Sequence, residues 1–168
     1  YGSIDAGAAV FITDSVGLPE RYIGIVFAAN TAVIVISQLF VLSIVTGRSR
    51  ARVLAGVGLM WALSWLLFGS ALATEGWISV GLLILAMGVF ALGETMWSPT
   101  APALLNDLAP EHLRGRYNAF QSVLWGVSGA LGPLLTGVFL SASLGGLWTL
   151  TLAAGCISSS RTACLWLC

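Results

Sequence analysis

Residues 22–47 run for about 26 positions without a charged side chain, and residues 53–74 for about 22. A third run, residues 76–106, covers about 31 positions with Glu94 as its sole charge, and a fourth, residues 117–160, covers about 44. A bilayer crossing needs roughly 20 apolar residues. Each of the first three runs therefore suits one crossing. The fourth is too long for one and divides at SASLGG, residues 141–146, leaving a helix before it and the start of another after. Composition agrees: 58% of the chain is hydrophobic and 8% charged, against roughly 25% charged in soluble domains.

In lipid every backbone polar group needs an internal partner, so only helices or closed barrels span. These runs far exceed the roughly 10-residue alternating strands of a barrel. The expected fold class is all-α, a polytopic transmembrane helix bundle. At the front, residues 1–13 would cover about 20 Å as a helix, short of the ~30 Å hydrocarbon core. They are expected to be the end of a helix that begins upstream.

The loops set the orientation. TGRSRAR contributes Arg48, Arg50 and Arg52, and APEHLRGR contributes Arg114 and Arg116; the two loops lie two crossings apart, hence on one side. The opposite loops, DSVGLPER and TEG, hold one arginine and three acids. The positive-inside rule makes the Arg-rich loops cytoplasmic, and it places Trp77 and Trp148 at the outer interface.

Polar residues are unevenly shared. The run at residues 53–74 contains only Ser64 and Ser70 besides its threonine end, and reads as a peripheral, lipid-facing helix. Asn30, Thr31, Ser37 and Gln38 share one stripe about 100° wide. Asn118, Gln121, Ser122, Trp125, Ser128, Gly129 and Gly132 recur at spacings of three and four. Close helix packing accounts for such small and amide side chains on its own. Depth favours a further role. At 1.5 Å per residue, Gln38 lies about 15 Å from Arg48, Trp125 about 14 Å from Arg116 and Glu94 about 20 Å from Asp107. Asp5 lies about 14 Å from the outer end of its helix. These groups fall in a slab around the midplane, where secondary transporters place their sites.

Glu94 and Asp5 carry the sharpest expectation. An ionised acid at mid-bilayer costs at least ~2.5–3.5 kcal/mol, so such residues face a bundle interior or a wet cavity. One reading couples their protonation to transport; the other keeps a neutral acid hydrogen-bonded to a neighbouring helix. Pro99 and Pro102 free backbone carbonyls and permit a bend between Glu94 and the cytoplasm. No HExxH, GxSxG or metal-ligand spacing occurs, so neither an enzyme nor a cofactor is expected, and GVSGALG lies mid-span without a preceding strand. His112 reads as a solvated loop side chain. Zero net charge and the lack of a basic run with aromatics speak against nucleic acid.

Four stretches, taken in order, resemble the C-terminal half of a major facilitator superfamily transporter, from late helix seven to helix twelve. NTAVIVISQLFVL with GRSRAR is similar to helix eight and the loop after it, and LGETMWSPTAPALLNDLAP to helix ten of bacterial drug-efflux-type members. PEHLRGRYNAF is similar to the next loop, and GALGPLLTG to helix eleven. The resemblance implies two six-helix halves working by alternating access, with helices seven, eight, ten and eleven around the cavity. The residues singled out by face and depth, Glu94, Asp5, Asn30, Gln38, Gln121 and Trp125, fall on those helices and are expected to line the cavity, with hinge or gate positions at Pro99, Pro102, Gly132 and Pro133; from the resemblance itself GRSRAR is carried over as a cytoplasmic gate element. The family's loop signature has an Asp and a Gly before GR, where this chain has Ile44 and Phe40. The pair at Gly132 and Pro133 is similar to an antiporter motif that belongs to helix five.

The resulting expectation has two parts. Residues 1–157 form the C-terminal six-helix half of the transporter with its first helix truncated, and residues 158–168 an atypical tail, a shifted or truncated helix twelve. Such a chain would sit in the cell (inner) membrane, move a small molecule by efflux or exchange against protons, and need the missing N-terminal half as partner. It is not expected to transport alone. The alternative is a non-transporting membrane protein, either a degenerate remnant or a structural partner in a helix bundle.

Overall fold

A computed structural model describes residues 2–167, with the side chains of Ile4 and of residues 7–163. Six α-helices follow one another: α1 (Gly2–Val10), α2 (Arg21–Val45), α3 (Arg50–Ser70), α4 (Gly76–Leu108), α5 (Arg114–Ser141) and α6 (Gly145–Leu167). A π-helical turn, Phe11–Ser15, extends α1, and short 3-10 turns follow α3 and precede α5. Among the described residues there is no strand. Among the described residues, four helical segments are long and apolar enough to cross a membrane: Arg21–Val45, Arg50–Ala73, Gly76–Leu108 and Glu111–Ser141.

The charged residues punctuate the helices as the uncharged runs imply. Gly47, at φ +81°, turns the chain between α2 and α3, a conformation that a Cβ disfavours. The long fourth run does divide within SASLGG. Ser143 adopts φ 57° there, and the Leu144 N–H donates to the Phe139 carbonyl at 2.9 Å. That pairing closes α5 with a Schellman-type cap. With 33 residues, α4 is about 50 Å long. It exceeds the ~30 Å hydrocarbon core and must tilt or protrude.

Packing places α3 differently from the sequence expectation. One face, with Leu59, Leu63 and Leu66, is exposed as a peripheral helix requires. The opposite face packs against both α4 and α6, so α3 is covered on that side by two helices. Its lone mid-helix serine, Ser64, is fully buried and donates to the Ala86 carbonyl of α4 at 2.8 Å. Glycines bring α6 close: a Cβ at Gly58 would meet Ser160 Oγ at 2.2 Å and the Cys156 carbonyl at 2.9 Å. Meanwhile α2 packs on α4, and α1 on α5.

Trp148 is also placed differently. It is 2% exposed, whereas Trp77 is 80% exposed. Instead of joining an interfacial belt, Trp148 packs edge-on against Trp65 at 4.8 Å between centroids and lies 5.5 Å from Phe11, which meets Phe68 at 5.9 Å. This cluster ties α3 and α6 to the turn after α1. Burying these rings against one another gains more contact than an interface position would.

The compositional change near residue 158 has no counterpart in the backbone, because α6 continues to Leu167. Ser160, on the far side of that change, is buried against Gly58 and donates to the Cys156 carbonyl at 3.0 Å. Replacing Gly58 by Ala should destabilise the chain by about 1–3 kcal/mol, since a methyl overpacks this contact. Gly155 faces open space, so Gly155→Ala should be neutral or gain up to ~1 kcal/mol through helix propensity. Thermal unfolding of both variants in detergent micelles measures the difference.

Candidate functional site

The site begins with the periodicity of α2. Ile34, Gln38 and Leu42 recur every four residues and so lie on one side of the helix. That side faces Glu94, Thr95, Trp97, Ser98 and Pro99 of α4 across a cleft of about 380 Å³. Gln38 and Glu94, about 10 and 20 Å from the ends of α2 and α4 by sequence spacing, thus line one cavity. Glu94 is half-buried and Gln38 exposed to the cleft.

The prolines change what this cavity offers. Pro99 has no N–H for the Thr95 carbonyl, and Pro102 none for that of Ser98. Both Thr95 and Ser98 line the cleft, so the residues whose carbonyls lack their usual helical donors lie beside it. The helix nevertheless continues through both prolines. Hydroxyls of Thr95 and Thr100 donate to the carbonyls of Ala91 and Met96, each at 2.7 Å, bracketing Pro99 with side-chain hydrogen bonds.

A second cleft of about 230 Å³ lies on the other side of Trp97, lined by Trp61, Trp97, Gln121, Leu124, Trp125 and Ser128. Gln121 and Trp125 are therefore brought together, but across Trp97 from Glu94. Trp97 meets Trp125 edge-on at 5.2 Å and Trp61 at 6.4 Å; Trp61 in turn stacks on Phe90 at 5.3 Å. The Trp61 indole N–H donates to the Phe90 carbonyl at 3.2 Å. Gly93 makes room for it, since a Cβ there would lie 2.6 Å from Trp61 Nε1. Sequence reasoning missed both indoles. Trp97 had a signal, lying one helical turn from Glu94; Trp61 had none, on a helix read as peripheral.

The remaining expected positions divide. Asn30 turns to α4, where its amide reaches the Met87 carbonyl at 3.5 Å, and it is not among the residues lining either cleft. The Asp5 side chain lies outside the described residues. Gly132 is buried, its carbonyl accepting from the Thr136 hydroxyl at 2.8 Å, while Pro133 is exposed. Neither lines the two clefts. Among the described residues no group of three or more His, Cys, Asp or Glu side chains is placed to hold a metal ion.

The loop arginines separate by partner. Arg50 pairs with Asp107 and also donates to the Ala103 carbonyl at 2.8 Å, clasping the start of α3 to the end of α4. Asn118 bridges the Asn106 side chain and the Arg114 carbonyl at 3.0 and 2.8 Å, fastening α5 to the same end of α4. Arg114 and Arg116 are exposed, whereas Arg48 and Arg52 border a further cleft between α2, α3 and α4. The Arg50 and Asp107 side chains are 38% and 62% exposed, so solvent screens the pair. A double-mutant cycle with Arg50→Gln and Asp107→Asn should return a coupling of about 0.2–1 kcal/mol that falls as salt is raised.

Comparison with known proteins adds the family. The Major Facilitator Superfamily model matches residues 3–166. The Uncharacterized MFS-type transporter YhjO of Bacillus subtilis (strain 168) is 34% identical over 68 residues. That match covers 40% of this chain and 17% of the relative's length. No solved structure matches the chain at a significant level. With a family match across nearly its whole length and a multi-helix bundle built for lipid, the chain belongs to the major facilitator superfamily of membrane transporters.

Proposed function

We propose that this chain supplies the C-terminal half of a transporter of the drug-efflux type, and that it moves a small molecule by alternating access in exchange for protons. The observation that carries this reading is the meeting of Gln38 and Glu94 in one cleft beside the proline-interrupted stretch of α4. An acid in an apolar cavity can be neutralised by a proton, and the neutral and ionised forms differ in what they attract. The ionised form favours a cationic or hydrogen-bond-donating solute; the neutral form releases it. Gln38 adds an amide donor and acceptor on the facing helix. The Thr95 and Ser98 carbonyls add acceptors.

Alternating access requires the wall of the cavity to move. Without two of its helical hydrogen bonds, α4 bends more readily near Pro99 and Pro102 than elsewhere. The clasp of Arg50 with Asp107 sits beyond these prolines, so the far end of α4 would move together with the start of α3. In this reading the Arg-rich end is cytoplasmic, as loop charge asymmetry favours. The large exposed faces of α2 and α5, including Ile36, Leu39, Phe40 and Phe120, would meet the other half of the transporter.

Glu94→Gln in the complete transporter should remove pH-dependent exchange in proteoliposomes, while leaving the protein folded. Exchange that keeps its pH dependence would assign Glu94 a structural role instead. Separately, this chain reconstituted alone should give no flux above empty vesicles. Uptake by the chain alone would overturn the assignment of half the transport path.

A further inference from the structure

The cleft bordered by Arg48 and Arg52 is independent of the transport reading. It holds about 570 Å³ and is lined by Ile44, Val45, Val53, Gly56 and Met96 beside the two arginines and the turn residues Gly47 and Ser49. This lies within the range of small-molecule pockets, roughly 300–1,000 Å³. Its polar and apolar parts are stacked by depth. On α3, Gly56 lies four residues after Arg52, while Ile44 belongs to the last turn of α2 and Arg48 to the turn that follows it. Gly56 therefore sits about 6 Å further along α3 than Arg52, and Ile44 and Val45 precede the turn that carries Arg48. The methyl of Met96 lies within 3.7 Å of the position a Gly56 Cβ would take, which closes the inner end with an apolar group.

Two cations at the mouth of an apolar cleft call for a particular partner. Among the described residues neither Arg48 nor Arg52 has a carboxylate within ion-pairing distance, whereas Arg50 between them is held by Asp107. A soluble anion would satisfy the guanidinium groups and leave the inner walls wet. A lipid with an anionic phosphate satisfies both, with its headgroup at the arginines and its glycerol and upper acyl carbons along Ile44, Val53 and Met96. Basic pockets between transmembrane helices bind lipid headgroups in this way, and arginine suits phosphate through its paired donors. We propose that this cleft is a binding site for an anionic phospholipid, with Arg48 and Arg52 on its phosphate.

The test uses the full chain in phosphatidylcholine nanodiscs carrying a minor fraction of phosphatidylglycerol, with retained lipid counted by native mass spectrometry. Phosphatidylglycerol should be retained over phosphatidylcholine. Replacing both arginines (Arg48→Gln with Arg52→Gln) should lower that retention at least about tenfold, the loss expected when charge-assisted hydrogen bonds to the phosphate are removed. The paired control, Arg114→Gln with Arg116→Gln, removes equal charge from the other Arg-rich loop and should leave retention unchanged. Gly56→Leu, which fills the cleft and keeps both charges, should also abolish it. Equal loss in both arginine pairs would mean diffuse surface attraction and overturn the site. Displacement of the lipid by millimolar glycerol 3-phosphate would assign the cleft to a soluble anion and overturn it equally.

Discussion

A backbone in hydrocarbon must satisfy its N–H and C=O groups within its own helix, and most of this structure follows from that demand. Long uncharged runs become unbroken helices because every alternative strands polar groups in lipid. The demand also explains why exceptions matter. Pro99 and Pro102 each withhold one N–H from α4, and the carbonyls left over belong to Thr95 and Ser98 beside Glu94. The residues that carry those carbonyls line the cleft where an acid and an amide already converge. The threonine hydroxyls that bracket Pro99 keep the helix continuous without refilling the missing bonds.

Association of the helices rests on close approach more than on hydrophobic attraction, since lipid tails are as apolar as leucine. The glycines on α3 and α4 show how. Gly58 admits Ser160 of α6, and Gly93 admits the Trp61 indole of α3. The two ends of the bundle are then held by different chemistry. At one end rings interlock, with Phe11, Trp65, Phe68 and Trp148 buried together. At the Arg-rich end the fastening is polar, through Arg50 with Asp107 and Asn118 with Asn106. A polar clasp near water is weaker and more easily exchanged than a ring cluster, which suits the end towards which the prolines loosen α4.

How far the sequence could be read varies from residue to residue. Helix order, and the limits of α2 to α5 to within a few residues, followed from charge spacing, because an uncharged run of known length has few solutions in a bilayer. Gln38 and Glu94 were legible as cavity partners because depth and helical face can be computed from positions alone. Asn30 shared the helical face of Gln38, yet its amide reaches the Met87 carbonyl and it lines neither cleft. Trp148 carried the residue type of an interfacial anchor and became core. In both cases the deciding quantity is the distance to a neighbouring helix, which no periodicity within one helix contains. The same gap hid Trp61 and made α3 look peripheral, since a helix with few polar residues can bury an apolar face as readily as expose it.

The sequence by itself determined that this is an all-helical chain made for lipid and where most of its helices begin and end. Those properties depend on local composition and on the fixed rise and turn of the α-helix. Only the tertiary structure decided which mid-depth groups meet: Gln38 with Glu94, and Gln121 with Trp125 on the far side of Trp97. It also decided that Arg50 would be paired while Arg48 and Arg52 border an apolar cleft. The physical reason is that helix partners are chosen by shape, by where a glycine lets one backbone near another. Shape is a property of two surfaces together, and one run of sequence describes only its own.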